Sequence, residues 1–389
     1  MKNISIDGLP RKILNESNDW TGIYVSRSMV LPLFRESEDG YLPGLAETTE
    51  KLGNDTWKVS LNAEMMNSAN VDAGTILHSW MQLATAKTGM SSLLKVLQRV
   101  KVDGKRSLIL HTSMQINDMQ SYLAHPLLGI IPEKQNVNYG SNSMTAQGSS
   151  GSKITFQYYK DFNAALRSYS KGNLDSITGI GIPSQTWKKL CENGKNRIFN
   201  TNLNIAIKIP PKYSSLKNEL MGLRYDALED LTHNQLESMS YHNPPHKDGC
   251  DDELWLTYPD YPPNQEVCTW LASQMLNDYG IRIHCQKISY DDYLMGSIRS
   301  DNVLQFLIEA DPWASAESMN LIFNNYCDHM NTSDDASLET ASSTHLNLAR
   351  VNKEGILRIG KMRGLKITRL SHVSIPHSGW IGWDDDLFY

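Results

Sequence analysis

No window of about 18 consecutive apolar residues occurs in this chain of 389 residues, so no segment of it is suited to cross a bilayer as a helix. An excess of positive charge is missing too. Lys and Arg number 37 against 43 Asp and Glu, a formal net charge of −6, which gives no basic footprint for nucleic acid or an anionic membrane. Cysteine is sparse. Cys191, Cys250, Cys268, Cys285 and Cys327 show no paired close spacing and suit reduced thiols in a cytoplasm better than a disulfide framework. The opening residues, 1–12, carry neither the apolar core of about seven residues nor the small-residue cleavage site of a secretory signal. The expectation is a cytoplasmic protein; the alternative is a receptor whose export signal has been removed.

Catalytic signatures are equally scarce. There is no Gly-x-Ser-x-Gly elbow, no phosphate-binding P-loop and no His-Glu-x-x-His. Gly179 and Gly181 lack the third glycine that opens a helix in a dinucleotide fingerprint. His242, His246 and Cys250 fall four apart, but Pro244 and Pro245 forbid the helix that would bring them to one face, so they read as a solvated loop. No cofactor, metal or catalytic constellation is expected.

What is present is alternating structure. Residues 253–259 form an extended run, 264–279 an amphipathic segment and 281–289 a second extended run: strand, helix, strand. Val267, Trp270, Leu271 and Met275 share one helical face, Asn264 stands at the N-cap position and Gly280 stands where the helix must stop. That order predicts a βαβ unit with parallel strands. Upstream, 75–88 and 90–100 read as helices, 107–112 as a strand, and Asp118 as the cap of a helix leading to His125 and Pro126. Residues 136–152 and 331–343 read as polar surface loops.

The chain resembles family 5 solute-binding proteins, the oligopeptide, dipeptide and nickel receptors of ABC importers. The likeness rests on Met29-Val-Leu-Pro-Leu-Phe34, on Pro43-Gly-Leu-Ala-Glu47, and on the run from Ala164 to Asp175. It continues through Asp278-Tyr-Gly-Ile281, Ile288-Ser-Tyr-Asp-Asp-Tyr293 and Glu309-Ala-Asp-Pro-Trp313. Met362-Arg-Gly-Leu365 and Ser378-Gly-Trp-Ile-Gly-Trp383 are most similar to the ligand-binding half of SgrR-type sugar-phosphate stress regulators. The family's Gly-Pro-Tyr motif is absent, and only about twenty residues precede the similar region, too few for a helix-turn-helix domain.

The resemblance implies an α/β, two-lobed periplasmic-binding-protein type II fold, cluster C-like, with an interlobe cleft. Its first lobe would comprise 1–205 with 365–389 and its second 206–364. Two lobes would close over a small polar ligand or short peptide, with no direct nucleic-acid contact and no membrane insertion. A regulator, a biosynthetic partner or a permease would read the closure.

Site residues follow from the same alignment. Asp311 occupies the place of a carboxylate that pairs with a ligand's α-ammonium, or is a turn aspartate before Pro312. Trp313 is an aromatic wall or lobe packing; Trp20 and Tyr24, and near the C-terminus Trp380 and Trp383, divide between cleft and core in the same way. Glu309 is a second cleft acid or a solvated one. The competing function is an enzyme that has recruited the cleft for catalysis.

Overall fold

The computed structural model describes residues 1–8, 25–37, 39–85, 94, 96–131, 136–147, 152–239, 241, 253–294, 303–310, 355–371, 373 and 375. The described residues divide into two compact units. Those of the first lie within Met1–Thr178 and Thr368–Tyr389, those of the second within Gly179–Asp311 and Tyr326–Ile367.

In the first unit, strict alternation builds an antiparallel sheet. In β5 (Thr56–Leu61), Trp57, Val59 and Leu61 turn inward, whereas Lys58 faces out and pairs with Asp103 at 3.4 Å. Its neighbours are β4 (Ala46–Lys51) and β7 (Ser107–Thr112), and β6 (Leu97–Val102) closes the order β4-β5-β7-β6. The expected helix over 90–100 is therefore corrected at its C-terminal end. Leu94 and Leu97 have helical spacing, but residues from 97 on pair with β7 across the turn at Gly104 (φ +74°). β7 coincides with the predicted strand.

A second sheet of this unit runs β11-β1-β10-β9-β8, with β1 (Lys2–Ile6) parallel to both β10 (Lys153–Tyr158) and β11 (Ser176–Ile177). The supposed loop over 136–152 is largely a hairpin, β8 (Asn136–Tyr139) with β9 (Ser143–Gln147). Its polar residues hide the two buried apolar ones, Met144 and Ala146, that give it an inner face. β2 (Phe34–Ser37) and β3 (Gly40–Pro43) form a separate hairpin. The helices are α1 (Ala63–Ala69), α2 (Ala73–Thr85), α3 (Met119–Leu123) and α4 (Phe162–Ser170). Asp118 caps α3 as expected, its Oδ1 accepting from the Gln120 and Ser121 N–H groups at 3.0 and 3.3 Å.

The second unit starts with α5 (Ser184–Glu192), β12 (Arg197–Lys208), α6 (Leu216–Met221), α7 (Asp226–Leu231) and β13 (Leu236–Ser238). The predicted strand–helix–strand follows as β14 (Leu254–Pro259), α8 (Asn264–Tyr279) and β15 (Ile283–Ile288), with β14 and β15 parallel. Val267, Leu271 and Met275 are buried, Trp270 packs against Tyr225 with ring centroids 5.7 Å apart, and Gly280 ends the helix in the left-handed conformation. Asn264 departs from its expected role. It is the first helical residue rather than the cap, and its buried Nδ2 donates to the Pro259 carbonyl at 3.1 Å, tying the helix start to the strand end. After α9 (Tyr290–Leu294) come β16 (Leu304–Ala310) and β17 (Ile356–Thr368), completing the order β15-β14-β16-β12-β17 with β13 beside β17.

Candidate functional site

β14, β15 and β16 run in the same direction, so Pro259, Ile288 and Ala310 end together on one edge of the second unit. Ligands of open α/β sheets gather at such carboxyl ends. The edge is opened by a divergence. β14 registers with β16 only at Leu256–Leu304 and Thr257–Gln305, after which the two strands part.

The short helix α9 enters where they part. Ser289 starts it through a reciprocal cap: its Oγ accepts from the Asp292 N–H at 3.0 Å and donates to the Asp292 carboxylate at 2.6 Å. This places the Tyr293 hydroxyl on the β16 backbone, where it accepts from the Ile308 N–H at 2.9 Å and donates to the Ile308 carbonyl at 3.0 Å. Because backbone groups alternate sides along a strand, those of Ala310 face the same way as those of Ile308.

Three tyrosines line this edge. The rings of Tyr261 and Tyr290 stack with centroids 5.2 Å apart, and those of Tyr290 and Tyr293 at 6.2 Å. Tyr261 is held from behind by Gly181 (φ +61°), where a Cβ would lie 2.5 Å from the tyrosine Cζ. Gly179 (φ +71°) makes a still closer approach, to the Leu365 carbonyl. The two glycines, meaningless as a dinucleotide fingerprint, let the backbone lie against a ring and a strand. Beside them the buried Ser184 hydroxyl donates to the Glu266 carboxylate, linking the first turns of α5 and α8.

The electrostatics are mild. Lys287 and Asp260, at the ends of β15 and β14, pair at 3.2 Å with both side chains about half exposed, a contact worth little in water. Burial pushes the Tyr258 hydroxyl above its ordinary range, and the neighbouring Cys268, Cys285 and Asp260 add to that shift. Among the described residues, no group of three or more His, Cys, Asp or Glu side chains could hold a metal ion. The arrangement sets an aromatic stack beside the end of a strand, a largely apolar surface with a few polar groups of the kind small-molecule sites use.

Of the residues singled out in the sequence, Glu309 lies here, the penultimate residue of β16, in register with Asn204 of β12. Asp311, Trp313, Trp20, Tyr24, Trp380 and Trp383 lie outside the described residues, as do His242, His246 and Cys250. Sequence reasoning passed over Tyr261 and gave Tyr290 and Tyr293 no role. Their signal was a tyrosine three residues after another, directly behind a parallel strand.

No protein-family model matches the chain, and no curated protein matches it by sequence. Solved structures do. The pheromone receptor PrgZ superimposes with a TM-score of 0.77 at 13% identity, covering 98% of each chain. The murein tripeptide binding protein MppA of Escherichia coli gives 0.75 at 12% identity, over 97% of this chain and 96% of that one. NikA of Staphylococcus aureus, solved with Ni(L-His)2, gives 0.70 at 11% identity over 97% of both. The chain has the two-lobed periplasmic-binding-protein type II fold. These neighbours are family 5 solute-binding proteins.

Proposed function

We propose that the chain is a solute-binding protein that takes a short peptide or another small polar solute at the carboxyl edge of β14, β15 and β16. The observation that carries this reading is the divergence of β14 from β16, which leaves the end of β16 next to a stack of tyrosine rings. Structural neighbours named for peptide, murein tripeptide and nickel–histidine ligands support it. Asp311, one residue beyond β16, is proposed as the anionic partner of a ligand's ammonium group, and Tyr290, set between Tyr261 and Tyr293, as the centre of the aromatic wall that shapes the site. We place the protein in a reducing compartment, on the strength of the free thiols of Cys191, Cys268 and Cys285. There a regulator or biosynthetic partner would read ligand binding; after export, a permease would.

Thermal shift against dipeptides, amino acids, sugar phosphates and nucleosides tests the proposal, since a ligand of the folded state raises the melting point with concentration. We expect one class to stabilise the protein, and Tyr290→Ala and Asp311→Asn each to weaken that effect at least tenfold. Stabilisation that survives both substitutions unchanged would move the site elsewhere. A converted product recovered in place of the ligand would establish an enzyme instead.

A further inference from the structure

The position of the Tyr293 hydroxyl has a consequence for which ligands fit. An extended peptide continuing along the edge of β16 that meets Tyr293 would pair with alternate residues, about 6.6 Å apart, at Ala310 and then Ile308, beyond which β14 takes up the edge. At Ile308 both groups are already taken, the N–H donating to the Tyr293 hydroxyl and the carbonyl accepting from it. The Tyr293 ring is itself held, stacked on Tyr290, which stacks in turn on the almost wholly buried Tyr261. Gly181 backs Tyr261, and the Ser289–Asp292 cap fixes the start of α9. A side chain braced on three sides does not yield its place to a weakly bound peptide.

We propose that Tyr293 is the inner stop of the binding edge and so a specificity-determining residue for ligand length. Resting on the solute-binding reading above, it makes Ala310 the first position at which a ligand backbone can register. Ligands with one or two peptide units gain everything the edge offers, and further residues extending inward gain nothing.

The test is a calorimetric comparison of dialanine, trialanine and tetraalanine on the wild type, Tyr293→Phe and Tyr293→Leu, each variant first checked for a cooperative thermal transition. The wild type is expected to bind all three with similar affinity. Tyr293→Phe loses the two hydrogen bonds, but its ring still covers Ile308, so the ranking should not change. Tyr293→Leu uncovers the Ile308 groups, and tetraalanine should gain about tenfold over dialanine, the scale of two recovered net hydrogen bonds. If both variants lower the melting temperature and keep the wild-type ranking, Tyr293 is only a clamp between α9 and β16, and the stop is disproved. A wild type whose affinity climbs from two residues to four also removes the stop, while leaving the solute-binding reading intact. If no alanine peptide binds the wild type, peptide recognition at this edge is overturned and the stop with it; binding of another solute class would then preserve the broader reading.

Discussion

In the first unit β5 is flanked along its whole length by β4 and β7, whereas in the second β14 and β16 register at only two positions before they part. The antiparallel sheet returns its hydrogen-bonding groups to neighbours, so its faces differ in what their side chains meet. The parallel strands end together, and the gap between them must be filled by something. α9 fills part of it with one hydroxyl, Tyr293. The open edge here comes from a sheet failing to close, and its chemistry from which side chain enters the gap.

Close backbone packing sets one glycine of the second unit apart from one of the first. A Cβ on Gly179 would lie 1.9 Å from the Leu365 carbonyl, whereas one on Gly104 would meet nothing within 4 Å, although φ is positive at both (+71° and +74°). Gly179→Ala should therefore cost about 3 kcal/mol or more, from a clash with unyielding backbone added to conformational strain. Gly104→Ala should cost only about 1–2 kcal/mol, the strain alone. Urea unfolding of both variants checks this; equal losses would erase the distinction.

Acid sensitivity provides a second contrast, buried in one unit and half-exposed in the other. His125 of the first unit lies in the core, where burial drives its pKa down to about 3; its Nδ1 accepts from the Leu127 N–H at 3.1 Å. The neutral imidazole with its proton on Nε2 is the native form. The folded pKa lies below the unfolded value of about 6.5, so the stability is present above that pH and is lost as pH falls toward 3, by several kcal/mol at most. His125→Asn, which keeps an acceptor for Leu127, should flatten the stability profile across that window. A profile unchanged by the substitution would assign the acid loss to other groups.

In the second unit, Glu229 accepts from the Ser238 N–H at 2.9 Å and hydroxyl at 2.8 Å, bonds that lower its pKa from 4.5. Its contribution is held above pH 4.5 and lost as pH falls through the depressed value. Exposure keeps it small. Glu229→Gln should lessen the loss of hydrogen-exchange protection of β13 amides on acidification, with little effect on β7; an equal response in both strands would contradict this assignment.

The βαβ unit was legible in the sequence because its signals are local: apolar positions at helical spacing, and a glycine in the position that needs φ +74°. The β8–β9 hairpin was not, since only Met144 and Ala146 mark its buried side among polar neighbours. β6 misled for a related reason. Leu94 and Leu97 satisfy a helical period, and only pairing with β7 shows the strand. Asn264 had the right chemistry for a cap, yet its amide serves Pro259 across the βα connection. As for the site, the Ile288 to Tyr293 motif was visible as a string, but the double hydrogen bond of Tyr293 to Ile308 spans 15 residues and depends on the sheet diverging.

Among the described residues, the first unit breaks off after Thr178 and resumes at Thr368, where the Arg369 N–H donates to the Asp175 carbonyl at 2.9 Å and its guanidinium lies 4.4 Å over the Tyr169 ring. On a ribosome these partners are made nearly two hundred residues apart in time. The second unit can emerge complete and fold while the first, begun earlier, still waits for its last piece. A nascent chain stopped just short of Thr368 would carry a finished insert within an unfinished host, and a chaperone would meet the older half of the molecule, not the newer.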